Sequence, residues 1–364
     1  MIRLESCDRS LYLISELPTL FDMLERILSP GIAVTRCYEH PMDARTITVG
    51  SDPQLKDWTA CGDMPAYVID KGKIEFSLED IQQNSAVFIK HADEGADPVR
   101  LSASDDKHWR VDIASAEIGN LRGLTRLVRY VFGCFLFRSG VRFLHAASVA
   151  VDGRAYVFAG DSGSGKSSLM FKCCAELGGE FISDDLIGLW VSPDGKVMVS
   201  GWPKRVAVGT NLIEPGSLLE KRMIQSRAVE SRHYQDDAPT SSWSASERSR
   251  LRFDSAQFLN AFGFCGVRSA PLGAVLLPHA DSSMLGWHAR RLPAFASRQS
   301  LRNSDSAQIR YVTDALGLFK GAKLELMNLP DGIDVPAVEA HYGPQINSRF
   351  IEFWSDVNTR IAST

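Results

Sequence analysis

The stretch that decides the fold is FLHAASVAVDGRAYVFAGDSGSGKSSLMFKCCAELGGEFISDDLIGL, residues 143 to 189. Two apolar runs, Phe143 to Val151 and Ala155 to Ala159, flank Asp152-Gly153-Arg154, and Asp-Gly between apolar runs is a strong short-range hairpin signal. The second run leads directly into Gly160-Asp161-Ser162-Gly163-Ser164-Gly165-Lys166-Ser167, which satisfies G-x-x-x-x-G-K-[ST] in full. Ser168 to Leu177 has helix-compatible composition and stops at Gly178-Gly179, where a helix C-cap is expected. Strand, glycine-rich loop and helix in that order predict an α/β domain with a phosphate-binding loop.

Each fixed position of the loop has a physical reason. Glycines let consecutive backbone N–H groups curl around phosphate oxygens without a side-chain clash, and the following helix presents its positive end to the anion. Gly160 to Ser168 are therefore the expected nucleotide-binding residues. Lys166 supplies a point charge for the terminal phosphates, and Ser167 offers a hydroxyl to a bridging magnesium ion.

Glu180 to Ser183 predicts a short strand that ends at Asp184-Asp185, with Leu186 to Val191 continuing it. Two adjacent carboxylates can divide labour: one supports magnesium while the other accepts a proton from an attacking hydroxyl. Neighbouring residues on a strand point to opposite faces, so sharing one site requires a local irregularity there. His145 lies just ahead of the hairpin, which should bring it near the base of the loop, where it can hydrogen-bond a carboxylate and tune its basicity.

Outward from this core, the segment from Leu11 to about Arg110 carries short alternating runs, among them Arg45 to Val49, Ala66 to Ile69 and Ser85 to Lys90. Leu121, Leu124, Val128, Val131 and Phe135 stand at helical spacing and predict an amphipathic helix between the two halves. The expected division is a smaller α+β N-terminal domain over residues 1–118 and a catalytic domain over 119–364. Residues 222–256 are polar and poor in periodic apolar positions, which suggests a surface flap. Pro271 to Pro278 reads as a buried strand and Ser304 to Phe319 as a helix.

Composition narrows the partners. A formal charge of -4 gives no global basic field for a nucleic-acid backbone. No segment approaches the roughly 20 apolar residues that a membrane span requires. Seven scattered cysteines without a zinc-ligand pattern read as reduced thiols, so a cytoplasmic protein is expected.

With His145, the loop and the acid pair assembled, residues 143 to 189 resemble the catalytic domain of HPr kinase/phosphorylase and its HPr-kinase-like relatives. That family shows a histidine ahead of a hairpin, then G-D-S-G-x-G-K-S, a short helix, and a strand ending in Asp-Asp. The resemblance implies Asp184 as the base for the acceptor hydroxyl, His145 as its supporting partner, Asp185 as a residue that orders magnesium, and Lys166 with the loop amides as the ATP clamp. It also implies a nucleotide-binding fold like that of phosphoenolpyruvate carboxykinase, with a mixed central sheet, and assembly into homo-oligomers. Gly201-Trp-Pro-Lys-Arg-Val-Ala-Val208 is similar to a Pro-Arg/Lys strand of those relatives, so that Lys204 or Arg205 would steady the transferred phosphoryl group. The second glycine- and glutamate-rich signature of the bifunctional HPr enzymes is absent, and residues 1 to 120 do not look like their regulatory domain.

These residues support an ATP- and magnesium-dependent kinase acting on a serine- or threonine-like hydroxyl of a peptide or small molecule. A nucleotide-gated binding or regulatory protein, or a plain NTPase, would use the same loop without an acceptor. Neither a nucleic acid nor a membrane is an expected partner.

Overall fold

The structure, a computed structural model, describes residues 1–58, 66–69, 74–80, 85–90, 97–105, 107–230, 250–293, 299 and 335–362. Among these, Met1–Leu28 and Ile32–Arg142 form one compact unit, and Ser29–Gly31 with the residues from Phe143 onward form a second.

The first unit is built on a nine-stranded mixed sheet. Its strands are β1 (Ile2–Ser6), β2 (Arg9–Ile14), β3 (Ala33–Arg36), β4 (Thr46–Ser51), β5 (Ala66–Ile69), β6 (Ile74–Asp80), β7 (Ser85–Lys90), β8 (Val99–Ala103) and β9 (His108–Ile113). They lie in the order β3-β1-β2-β4-β9-β8-β7-β6-β5. Strand β4 runs parallel to β2 and β9, and the other neighbours are antiparallel. In β1, Ile2, Leu4 and Ser6 are buried while the residues between them are not, the period-two pattern of a strand with one covered face. Helices α1 (Leu20–Leu28) and α2 (Ile118–Arg138) complete the unit, with Leu121, Leu124, Val128, Val131 and Phe135 of α2 buried. Helix α2 packs on β8 and β9, so the division between units follows this helix rather than preceding it.

The second unit begins with β10 (Arg142–Leu144), β11 (Ala146–Val151) and β12 (Arg154–Ala159). The β11–β12 hairpin turns on Asp152 and Gly153, both with positive φ, as a two-residue Asp-Gly turn requires. Helix α3 (Lys166–Leu177) follows, and Gly178 caps it in the left-handed conformation. Then come β13 (Glu180–Ser183), β14 (Ile187–Val191), β15 (Val197–Gly201), β16 (Val206–Gly209), α4 (Leu218–Glu230), β17 (Arg250–Phe253) and α5 (Ser255–Phe262). Strands β18 (Ser269–Ala280), β19 (Trp287–Leu292) and β20 (Ala337–Tyr342) and helix α6 (Phe350–Ala362) close the unit.

Its central sheet runs β10-β14-β15-β18-β12-β11-β13, and β20 joins β18 with β19 beside it. The first residues of β18 pair antiparallel with β15, whereas later ones pair parallel with both β12 and β20. The sheet is therefore mixed. Strands β12, β18 and β20 end at one common edge, at Ala159, Ala280 and Tyr342. Alternation along β12 sends Phe158 into a core beneath α3, α5 and α6, and Ala155, Val157 and Ala159 into a second core on the opposite face. In the first core the Phe171 ring of α3 packs edge-on against Phe262 and Phe264, with centroids 5.2 and 5.6 Å away.

Two expectations change. Leu186 to Val191 does not continue the preceding strand: β13 pairs with β11 and β14 with β15, because the chain turns sharply at Asp184–Leu186. Nor is all of 222–256 a flap. Arg222 to Glu230 lie in α4, Arg250 to Phe253 form β17, and Ser255 opens α5; buried Met223, Leu251 and Phe253 supply the apolar anchors that tie this segment to the core. Residues 231–249, and the stretch Ser304 to Phe319 read as helical, lie outside the described residues. Among the described residues no helix is long and apolar enough to cross a membrane.

Candidate active site

The loop from Gly160 to Gly165 leaves the end of β12 and enters α3 at Lys166. Ser164 N donates to Asp161 O at 3.2 Å, and the first turn of the helix closes with Leu169 N to Gly165 O at 2.9 Å. The N–H groups of Lys166, Ser167 and Ser168 thus have no intrahelical acceptor, and no side chain caps them from the Gly165 position. Gly165 has φ +105°, and a Cβ there would lie 1.8 Å from Tyr342 Oη, so backbone conformation and the neighbouring ring both require glycine. Gly163, at φ +87°, has open space where a side chain would project, leaving its peptide accessible from solvent.

Three strand ends hold this loop. Ala280 N, at the end of β18, donates to Ser164 O at 3.0 Å, and Asp281 N donates to Tyr342 O at 2.9 Å. Tyr342, at the end of β20, is buried against Gly165, and burial pushes its phenol above its ordinary range. Neither residue carried a sequence signal, since each is brought to the loop by parallel pairing with a distant strand.

Lys166 is buried and folds back over the loop, its Nζ donating to Gly160 O and Asp161 O at 2.8 Å each. Asp161, Ser162 and Gly163 form the exposed rim. Ser167 Oγ donates to Asp184 Oδ1 at 2.7 Å, and Ala207 N of β16 donates to Asp184 Oδ2 at 3.1 Å. Asp184 is only 4% exposed. Burial raises its carboxyl above the usual range, against the opposing hydrogen bonds from Ser167 and Ala207.

Asp185 turns the other way. It has φ +70°, and Leu186 N donates to Asp184 O at 2.9 Å across it, a tight three-residue turn. This is the irregularity that lets two adjacent carboxylates serve one site. Ser183 Oγ secures the turn, donating to Leu186 O at 2.7 Å and accepting from Trp202 N at 3.3 Å.

His145 meets Asp185 rather than Asp184: its Nδ1 lies 2.9 Å from Asp185 O and 3.1 Å from Asp185 Oδ1. Lys204 Nζ stands 3.4 Å from Asp185 Oδ2. The His145 hydrogen bond, aided by the Lys204 charge and opposed by burial, holds Asp185 down to about 2. Arg205 is exposed, and it is Lys204 of that pair that reaches the acids.

The residues fit a nucleotide and its metal on three observations. No side chain caps α3 from the Gly165 position, Gly163 is exposed with open space beside it, and Ser164 Oγ is buried without a hydrogen-bond partner. Gly160 to Ser168 would hold the phosphates and Ser167, beside Asp184, the magnesium ion.

No protein-family model matches the chain, and no curated protein matches it. Among solved structures it is similar to the Hpr(Ser) kinase/phosphatase from Coxiella burnetii, at 10% identity, over 60% of this chain and 97% of that one, with a TM-score of 0.28. That is a weak structural likeness to a kinase/phosphatase.

Proposed function

We propose that the chain is an ATP-dependent kinase that transfers the γ-phosphoryl group to a serine- or threonine-like hydroxyl of a peptide or small molecule. The observation that carries this reading is the bond from Ser167 Oγ to Asp184 Oδ1, which joins the hydroxyl opening α3 to a buried acid. A pure anion site would need only the amides. An acid held against the helix-opening hydroxyl suits magnesium, and a second acid within one residue of it suits an acceptor.

The roles divide as follows. Lys166 and the amides of Gly160 to Ser168 bind and orient the phosphates, and bound magnesium supplies charge neutralisation between them. Asp184, bonded to Ser167, serves the metal side. Asp185, half-exposed and kept ionised, accepts the hydrogen bond of the incoming hydroxyl, with His145 fixing its orientation. Lys204 faces the charge that develops on the transferred group. This division reverses the order that the family resemblance implies for the two acids, and it is favoured by the Ser167–Asp184 bond and by the greater exposure of Asp185.

Incubation with γ-labelled ATP, magnesium and a cell extract tests the reading. Label recovered in an acid-stable phosphate ester supports a kinase with a hydroxyl acceptor. Label recovered only as inorganic phosphate would make the chain an NTPase, and nucleotide binding without any label release would make it a nucleotide-gated binding protein.

A further inference from the structure

At the edge of the sheet from which the loop leaves, β18 and β20 carry a second group of ligating side chains. His279 of β18 and His341 of β20 are direct cross-strand partners, and Glu339 stands two residues before His341 on the same face. The two imidazole rings stack, with centroids 4.5 Å apart and an 11° interplanar angle, so one ring must turn for both Nε2 atoms to face a single ion. His279 Nε2 lies 3.5 Å and His341 Nε2 3.7 Å from the same oxygen, Glu339 Oε1. The other oxygen, Oε2, accepts from Arg290, the partner of Glu339 on β19.

One ligand atom from each of the three residues lies within 4.8 Å of the others. Around a four-coordinate ion with bonds of about 2.1 Å, ligand atoms stand about 3.4 Å apart. The two nitrogen-to-oxygen separations, 3.5 and 3.7 Å, are close to that edge. Two imidazoles and one carboxylate suit zinc-type transition ions, whereas magnesium favours an all-oxygen set. Arg290 fills the outer position that orients a ligating carboxylate. Both histidines are about half exposed, which leaves room for water in the fourth position.

We propose that His279, Glu339 and His341 form a binding site for one divalent transition-metal ion of the zinc type, separate from the magnesium position at Ser167. The ion bridges the ends of β18 and β20. Those ends are the two that hold the loop, through Ala280 N to Ser164 O and the packing of Tyr342 on Gly165. Metal at this site therefore ties together the two strands that anchor the loop.

The test uses tag-free, metal-stripped full-length protein titrated with Co²⁺ and Zn²⁺. Wild type is expected to bind one ion per chain, to give the visible absorption of a four-coordinate Co²⁺ site that Zn²⁺ displaces, and to gain thermal stability with Zn²⁺. H279A/H341A is expected to weaken binding by more than the roughly 10- to 100-fold typical of losing an outer partner, and to lose the Co²⁺ spectrum. Glu339→Gln, nearly isosteric, keeps the test open if the double variant misfolds, and is expected to show the same loss. Absence of the Co²⁺ spectrum and of Zn²⁺ stabilisation in wild type would overturn the proposal, as would wild-type affinity and spectrum in a folded variant.

Discussion

Ser167 Oγ donates to Asp184 Oδ1 at 2.7 Å, so the hydroxyl that opens α3 and the buried acid that follows β13 act as one unit. Replacing Ser167 with Ala leaves Asp184 Oδ1 short of a donor in a buried place, at a cost of about 1–3 kcal/mol. The expected outcome is weaker binding of magnesium-ATP, with binding of magnesium-free nucleotide less affected. A double-mutant cycle with Asp184→Asn, read by calorimetric titration, should give a coupling of roughly 0.5–3 kcal/mol. Strict additivity would separate the two residues.

Asp184→Asn and Asp185→Asn are expected to fail differently. Asp185→Asn should lower turnover by about 10²- to 10⁴-fold with ATP affinity little changed, because it removes the group that receives the acceptor's proton. Asp184→Asn should raise the magnesium concentration needed for half-maximal activity. If Asp184→Asn alone abolishes turnover at saturating magnesium while Asp185→Asn does not, the base is Asp184.

Asp185 also predicts an acid limb in stability. Its folded pKa, held down to about 2 by the His145 hydrogen bond and the Lys204 charge, lies below an unfolded value of about 3.9. Its contribution is therefore full above about pH 4 and is lost as pH falls toward 2. Because the carboxylate is partly exposed, solvent screening reduces the effect to about 1 kcal/mol. Urea unfolding between pH 3 and 6 should show a shallower pH dependence in Asp185→Asn than in wild type, and identical slopes would contradict the pairing.

Gly165→Ala is expected to strain the loop twice, through a left-handed φ and through the clash with Tyr342 Oη. The backbone part costs on the order of 1–3 kcal/mol. Adding Tyr342→Phe should relieve only part of the steric cost, since the ring's Cζ stays 3.0 Å from the new Cβ, and should leave the backbone part, which thermal unfolding of the single and double variants can measure. Full recovery in the double variant would mean that the φ requirement is unimportant.

What the sequence disclosed is what local chemistry controls. The Asp152-Gly153 turn, the loop from Gly160 to Ser167, the Gly178 cap and the β18 strand are all set by neighbouring residues, and each stands where its pattern indicated. The need for an irregularity at the acid pair was also legible, from the strand period alone. Three features depend on pairing between distant strands and left no local trace: Ala207 N on Asp184, Ala280 N on the loop, and Tyr342 against Gly165. The partner of His145 was hidden for a related reason. The positive φ at Asp185 carries that carboxylate, not that of Asp184, to the imidazole. The division of 222–256 into helix and strand was masked by its polar composition, since among its described residues the apolar anchors are Met223, Leu251 and Phe253.

The most direct measurement of phosphoryl transfer uses purified full-length protein, γ-labelled ATP, magnesium and a pool of serine- and threonine-containing peptides with free serine and other small alcohols. Wild type is expected to move label into an acid-stable phosphate ester, Asp185→Asn to lose about 10²- to 10⁴-fold of that rate while still binding ATP, and Lys166→Ala to lose ATP affinity itself. Label released only as inorganic phosphate, at the same rate in wild type and Asp185→Asn, would contradict transfer to a hydroxyl.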